Sequence, residues 1–341
     1  MTNIIFIGGF SPEQGEAKAI NSNLFEIIFG KVLTVILIHI INPLQTFTYN
    51  TFMNFLPYLK AVGTGKKRNR DLTQDELQIA MRAILNGQVL PEQISAFLLG
   101  WRIKGETIEE FRGAIDAFDE FITPSPIPNS IEFGYPYDGK VNNPYIFPLM
   151  AKYLKPYGIE LSLHGDVLQP AKGGTPLKYI CDNIELDNNI HYFDRKEYFK
   201  ELHNLSGVRD RFGMRSPFNT IEKLLNITQS KTAIIGAFHK PFVEKYIKLF
   251  QDRYKRLIII KGNEGTPEIF SKCAITVVED GKREEYKFDP KDYGVSYKKS
   301  WDKISKEESI AITKKPSHEL EILAEFNAKI ILFLIGKIEK I

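Results

Sequence analysis

Only two cysteines, Cys181 and Cys273, occur in the 341 residues, which excludes a disulfide framework. They lie far apart and form no metal-ligand spacing. They read as reduced, small core residues of a cytoplasmic protein, with a single disulfide as the alternative. Charge of one sign is equally scarce, 45 basic residues against 42 acidic giving a net +3. Composition alone therefore marks no nucleic-acid binder, and any basic surface has to arise from clustering. There is no internal repeat and no low-complexity tract. An uninterrupted apolar run of the roughly 20 residues that span a bilayer is missing too. The nearest approach is residues 24–44, which Glu26 and Lys31 interrupt. Glu13 and Glu16 precede it, where a signal peptide needs basic residues. The stretch reads as a buried helix or strand, with a membrane anchor or a non-native extension as alternatives, and no membrane partner is expected. A dinucleotide-binding fingerprint is absent as well. Residues 3–10 end in Gly8-Gly9, but Pro12 and Gly15 do not complete G-x-G-x-x-G, so a short buried strand is expected there.

What is present is the mix of a folded globular chain, 43% hydrophobic and 26% charged, long enough for two domains. Residues 1–52 differ in pattern from the rest of the chain and are expected to be an extension. From Met53 the pattern is helical. Thr73 with Glu76 three residues on makes a capping box, and Leu77, Ala80, Met81 and Ile84 then recur at helical spacing up to Asn86-Gly87. Pro91 opens a second helix carrying Ile94, Phe97, Leu98 and Trp101, and Gly105 closes it. Thr107 caps a third through Phe111, Ile115 and Phe118. Three short helices make a small helical domain over residues 53–123. The proline-rich run 123–128 reads as the linker out of it.

Beyond the linker the period changes. Short β-rich runs at 160–163, 232–235, 257–260 and 274–278 alternate with helical segments at 145–153 and 242–250. This alternation predicts an α/β domain over 124–341, a mostly parallel sheet with helices on both faces. A further strand is expected at 285–288 and a final apolar helix at 319–340.

Several blocks, taken in order, resemble one family. Residues 75–117 contain Gly87, Pro91 and the run Leu98-Leu99-Gly100-Trp101-Arg102-Ile103-Lys104-Gly105-Glu106-Thr107. Next come Arg209-Asp210-Arg211-Phe212-Gly213-Met214-Arg215-Ser216-Pro217-Phe218-Asn219 and Leu224-Leu225-Asn226. Ile234-Ile235-Gly236 through His239, the turn Phe288-Asp289-Pro290-Lys291-Asp292-Tyr293-Gly294, Phe326-Asn327-Ala328 and Ile335-Gly336 complete the series. Their succession from residue 53 to 341 is similar to the anthranilate phosphoribosyltransferases of glycosyltransferase family 3. The resemblance implies a helical domain, with residues 200–227 packing on it, and a nucleoside phosphorylase-like α/β domain. It also implies a homodimer through the helical domain and one further helix beyond Ile341.

Phosphoribosyl transfer needs a glycine cradle whose backbone N–H groups approach a pyrophosphate, together with a divalent cation. Where the family has G-T-G-G-D this chain has Gly134-Tyr135-Pro136-Tyr137-Asp138, and Pro136 has no N–H to donate. Where the family has N-x-S-T it reads Pro144-Tyr145-Ile146-Phe147. The family's K-H-G-N is Leu163-His164-Gly165-Asp166, without the lysine cation and with an added negative charge. Gly173-Gly174-Thr175-Pro176-Leu177 stands for S-G-S-A-D, with Lys172 beside it. Pro267-Glu268 stands for the metal-binding D-E pair, leaving Glu268 as the candidate Mg²⁺ ligand, with Glu264 close in sequence. Asp138, Gly139, His164, Gly165, Gly173, Gly174, Arg209 and Glu268 are thus the remnant of a donor and substrate site. Arg209 matches the arginine that contacts the aromatic acid in the family. No catalytic residue is assigned, and no cofactor is expected except Mg²⁺ if the chain is an enzyme.

Cations, by contrast, are retained. Lys66, Lys67, Arg68 and Arg70 fall within five residues; Arg209, Arg211 and Arg215 share one helical stretch, and Arg253, Lys255 and Arg256 another. Leaving out Lys18, Lys31, Glu13, Glu16 and Glu26 of the extension, the body has 43 basic and 39 acidic residues. Gly63-Thr64-Gly65-Lys66 before Arg70-Asp71-Leu72, the Tyr-Asp-Gly turn and Gly262-Asn263-Glu264-Gly265 are similar to family paralogues that bind nucleic acid non-specifically in a basic groove. The expectation is single-stranded nucleic acid held by Lys66, Lys67, Arg68, Arg70, Arg209, Arg211 and Arg215, with Tyr135 or Tyr137 stacking on an unpaired base. The alternative is an active phosphoribosyltransferase that uses phosphoribosyl pyrophosphate and Mg²⁺ with an altered acceptor.

Overall fold

Helix caps and apolar stripes set the first layer. Thr73 and Thr107 each accept a backbone N–H three residues on, and Glu76 and Glu110 return the bond, starting α2 (Gln74–Leu85) and α4 (Ile108–Asp119). Between them α3 (Pro91–Lys104) starts on a proline and stops at Gly105, whose φ of +90° lies where a side chain is strained. A fourth helix, α1 (Leu56–Gly63), precedes the three that periodicity predicts. Its eight residues are too few to show a period, and it is held by packing on α3. Glu110 ties this layer together from a fully buried position. It accepts the Leu72 N–H at 2.9 Å, the Trp101 indole N–H at 2.9 Å and the Lys104 ammonium.

The computed structural model describes residues 52–341, which form one compact unit. The readings made for residues 1–51, the short strand and the apolar run included, lie outside the described residues. Within 52–341 a seven-stranded sheet forms the middle layer. Its strands are β1 (Ser130–Gly134), β2 (Glu160–Gly165), β3 (Ile190–Asp194), β4 (Thr232–Ala237), β5 (Arg256–Lys261), β6 (Cys273–Glu279) and β7 (Lys282–Phe288). They are ordered β3-β2-β1-β4-β5-β6-β7, with β1 to β5 parallel and β6 and β7 antiparallel at one edge. β1 and β3 were not legible in the sequence. β1 carries Glu132 at its centre, and β3 is half-buried with His191 and Asp194 among its five residues.

Alternate residues divide the two faces. Ala233, Ile235, Leu257 and Ile259 join the core shared with α1 to α4, while Ile234, Ile258, Ile260 and Ile275 face the opposite core. Short helices follow in α5 (Phe147–Leu154), α6 (Leu177–Cys181), α7 (Arg195–Tyr198), α8 (Lys200–Asn204), α9 (Ser206–Phe212) and α10 (Phe218–Ile221). Phe199, Leu202, Leu205, Val208, Phe218, Ile221 and Leu224 extend the helical core, so the 198–227 segment packs on the first layer. α11 (Lys240–Phe250) also lies on that side, and α5 with α13 (His318–Leu334) covers the other face. α12 (Lys306–Lys314) has its own capping box at Ser305 and Glu308. The thiols are free; Cys273 is buried, which pushes its thiol up to about 12, and Cys181 is half-buried. Among the described residues no helix is long and apolar enough to cross a membrane.

Candidate functional site

The parallel strands diverge in connection at β1 and β4: β1 runs on to β2 on one side, and β4 to β5 on the other. A crevice outside the strand ends is the expected result at such a reversal. One of about 360 Å³ opens there, roofed by Arg102 and Glu106 at the end of α3. Its floor and walls come from Pro136, Tyr137 and Asp138 after β1, Phe238 and His239 after β4, and Glu264 and Gly265 after β5, with Lys172 and Arg215 beside them.

The two tyrosines after β1 are buried, not splayed into solvent. Tyr135 is 1% exposed, its ring packed against Tyr145 and Phe147 and its hydroxyl donating to Glu268 at 2.8 Å. Tyr137 lies flat on the Arg195 guanidinium, 3.7 Å from ring centroid to Cζ, and donates its hydroxyl to His164 Nδ1. Neither ring has a face open to solvent, so the expected stacking of a base on Tyr135 or Tyr137 is corrected: both are core residues.

Glu268 receives four donors. Besides Tyr135, the Ile146 and Phe147 amides donate at 2.7 and 3.0 Å, and the Lys140 ammonium is bonded to its other oxygen. Both partners are buried, Lys140 at 1% and Glu268 at 0% exposure. A divalent cation would compete for these oxygens with three donors on Oε1 and a buried ammonium that already neutralises Oε2. Among the described residues no group of three or more His, Cys, Asp or Glu is arranged to hold a metal ion. The residues at this position therefore do not fit Mg²⁺, against the expectation for Glu268. Glu264 is no substitute, since it accepts the Val141 and Asn142 amides and the Asn143 side chain.

His164 on β2 sits between Tyr137 and Glu132, donating its Nε2–H to Glu132 at 3.0 Å. Glu132 also accepts the Leu225 and Asn226 amides and the Tyr254 hydroxyl at 2.6 Å. Burial raises its carboxyl pKa, but the hydrogen bonds from His164, Tyr254 and the Leu225 amide more than offset this and hold it below the usual range. Gly165 is close-packed, since an added Cβ would lie 2.9 Å from the Tyr192 hydroxyl. Gly139 and Gly174 press together: a Cβ on Gly174 would come within 2.4 Å of the Lys140 carbonyl, and the Gly174 amide donates to Asp138 O. Gly173 is exposed with φ of +64°. This pair of loops is joined backbone to backbone between Lys140 and Thr175.

Arg209 is 1% exposed and forks onto Glu222 at 2.7 and 2.8 Å, while Arg195 reaches the same carboxylate at 2.9 Å. Burial pushes Glu222 up, but the two guanidinium groups more than offset it, leaving a pKa of about 2. Arg209 is thus sealed from solvent and removed from both expected roles, substrate contact and nucleic-acid contact. Arg70 is engaged with Glu76 through two bonds of 2.7 Å. Arg253 and Arg256 pair with Asp119 and Glu279. Lys66, Lys67, Arg68 and Arg211 are exposed and have no ion pair among the described residues.

Lys172 lines the crevice, Lys223 is buried, and one turn of unusual hand holds both. Gly262, Asn263, Glu264 and Gly265 all have positive φ, of 120°, 49°, 62° and 72°. Non-glycine residues in that region cost on the order of 1–3 kcal/mol each and persist where the surroundings impose them. Here the turn directs successive carbonyls at ammonium groups, Glu264 O at Lys172 (2.8 Å) and Gly265 O at Lys223 (3.2 Å). Lys223 is buried and also donates to Gly236 O at 2.7 Å. Burial, and then repulsion from Lys172, brings its pKa down to about 7. Asp138 pairs with Arg215, Nε at 3.2 Å, and faces Lys172 at 3.7 Å. Lys223, Lys140, Glu132, Arg195 and Glu222 were not singled out from sequence. The visible signal was Glu222-Lys223, charged residues set inside an apolar run.

Comparison with known proteins agrees with this architecture. Residues 56–122 match the model described as the glycosyl transferase family helical bundle domain, and residues 183–328 the one described as its a/b domain. An uncharacterized protein of Aquifex aeolicus is 35% identical over 236 residues, covering 69% of this chain and 76% of that one. An anthranilate phosphoribosyltransferase of Neisseria meningitidis is 27% identical over 259 residues, 69% of this chain and 72% of its own. Among solved structures, the anthranilate phosphoribosyltransferase of Thermus thermophilus superposes with a TM-score of 0.63 at 17% identity, covering 80% of this chain and 88% of that one. The enzyme of Saccharomyces cerevisiae, in complex with PRPP and Mg, superposes at 0.64 and 16% identity, covering 83% and 89%. With both domain models matched in order around one crevice, this chain belongs to glycosyl transferase family 3, the family of the anthranilate phosphoribosyltransferases.

Proposed function

We propose that this chain is a family member in which the phosphoribosyl donor site has been built over, and that it binds single-stranded nucleic acid non-specifically through surface cations. The observation that carries this reading is the Lys140–Glu268 pair under Tyr135. A side-chain ammonium there already neutralises the carboxylate that the family resemblance gives to Mg²⁺, and bulky rings fill the loop that the resemblance gives to pyrophosphate. Lys66, Lys67 and Arg68, exposed and without ion-pair partners among the described residues, support the binding half of the proposal. Arg211 belongs to the same set, whereas Arg70 and Arg209 are engaged elsewhere. A homodimer through the helical layer is part of the reading, supported by exposed Phe52, Leu56, Leu90 and Ile103.

The test is a fluorescence-anisotropy titration with a labelled single-stranded oligonucleotide across a salt series. Log affinity should fall linearly with log salt, by about 0.7 per phosphate contact. Reversing the charge at Lys66, Lys67 and Arg68 should flatten the slope by roughly two units if each holds one phosphate. Absence of binding at low salt would refute the proposal. A thermal shift with phosphoribosyl pyrophosphate and Mg²⁺ would favour the phosphoribosyltransferase alternative instead.

A further inference from the structure

We infer that the crevice between α3 and the ends of β1, β4 and β5 is a pocket for one unpaired nucleotide, its base against Phe238 and its phosphate against Arg102 and Arg215. This rests on the nucleic-acid reading above and assigns it a specific contact point. Phe238 is the notable surface residue: it lines the crevice, is 57% exposed, and has His239 edge-on at 4.6 Å. Phe242 and Tyr246 continue the aromatic wall below it. An exposed ring beside a cleft is a stacking platform that accepts any base, since every base has a π-face.

The charges in the same walls favour a phosphate. Each of the three acids already has its own partners. Asp138 is held by Arg215, with Lys172 nearby at 3.7 Å; Glu106 faces Lys245 at 3.4 Å; and Glu264 is turned onto the Val141 and Asn142 amides. The cations are less fully engaged. Arg102 is exposed and bonds only to the Arg215 carbonyl through Nη1, with no carboxylate partner among the described residues. Arg215 uses Nε and Nη2 on Asp138, and its side chain remains 46% exposed. A volume of about 360 Å³ lies at the small end of ligand pockets, suited to one base with its sugar and not to a stacked pair. The occupant is therefore an unpaired base at a strand end or in a single-stranded run. A base within a duplex has both faces covered by its neighbours.

The experiment compares three labelled strands of equal length on the intact chain: oligothymidylate, an abasic deoxyribose-phosphate strand, and duplex DNA. Wild type should bind oligothymidylate about tenfold or more tighter than the abasic strand, with the duplex no better than the abasic one. Phe238→Ala should erase that preference and leave the salt slope unchanged; Phe238→Trp should keep it. Because Phe238 is exposed, neither variant disturbs the core. Equal affinity of wild type for oligothymidylate and the abasic strand, or a preference that survives Phe238→Ala, overturns the inference while leaving the nucleic-acid reading in place. Failure of all three strands to bind overturns both.

Discussion

Buried charges among the described residues include some that a partner stabilises and others, Lys223 among them, that desolvation dominates. Glu222 is held at about 2 by Arg209 and Arg195 against an ordinary value of 4.5. Its folded pKa is depressed, so its contribution is present above the unfolded value and is lost as pH falls from about 4.5 toward 2. Truncating Arg209 to Ala leaves that carboxylate short of a fork. Urea denaturation at neutral pH should show a loss on the order of 3–5 kcal/mol, while oligonucleotide affinity of the folded variant stays unchanged, since Arg209 does not reach the surface. Lys223 behaves differently. Its ammonium is brought from 10.5 to about 7, so the folded state binds fewer protons than the unfolded one between those values. Stability attributable to this residue therefore rises with pH across that window. In Lys223→Met the rise should be flattened: unfolding free energies of variant and wild type, compared at pH 6.5, 8 and 9.5, should shift steadily in favour of wild type. A constant difference would mean that Lys223 does not titrate in this range.

The close contact between β4 and the left-handed turn 262–265 shapes one wall of the crevice. A Cβ on Gly236 would lie 2.3 Å from the backbone of Gly265 and Thr266, which cannot move aside without pulling the Lys172 and Lys223 carbonyl acceptors with them. Gly236→Ala should therefore cost at least the roughly 1–3 kcal/mol of an overpacked core, and should also lower oligonucleotide affinity. Gly281→Ala provides a control, because that glycine has a positive φ but open space around it. It should destabilise through backbone strain alone and leave affinity intact. The helical layer is tied by caps in the same way. Thr107→Ala removes the acceptor for the Glu110 amide and should cost about 1 kcal/mol by thermal denaturation.

In the assembled molecule the helical layer carries apolar side chains that nothing in the described chain covers. Phe52, Leu56, Leu90 and Ile103 are 60%, 50%, 43% and 73% exposed, and a Met53–Gln88 backbone bond brings the first of them toward the loop before Leu90. Sedimentation equilibrium should report a dimer for wild type and a monomer for the double variant Leu56→Asp, Leu90→Asp. A wild-type monomer would remove the homodimer from the proposed function.

Legibility in the sequence depends on where each interaction lies along the chain. The capping boxes at Thr73 and Thr107, the strands at 232–235 and 257–260 and the turn at Gly294 are encoded within a few residues, so periodicity and turn chemistry identify them. The ordered blocks identified the family for the same reason, each being a local string. The short helix α1 and the strands β1 and β3 were not legible, because none of them is long or regular enough to show a period.

Charged residues are where local reading stops. Sequence alone showed the clustered cations and the bulky residues Tyr135, Pro136 and Tyr137 between Gly134 and Asp138. It had no means of separating the exposed Lys66, Lys67 and Arg68 from the buried Arg209, since both are basic residues beside polar ones. That separation came from Glu222, thirteen residues further on, closing over Arg209. The Lys140–Glu268 pair spans 128 residues and forms only when the loop after β1 meets the segment after β5. Local strings therefore determined the fold and the family. Which charges face water and which neutralise one another was decided by the tertiary structure, because desolvation depends on what packs around a group and not on its neighbours in sequence.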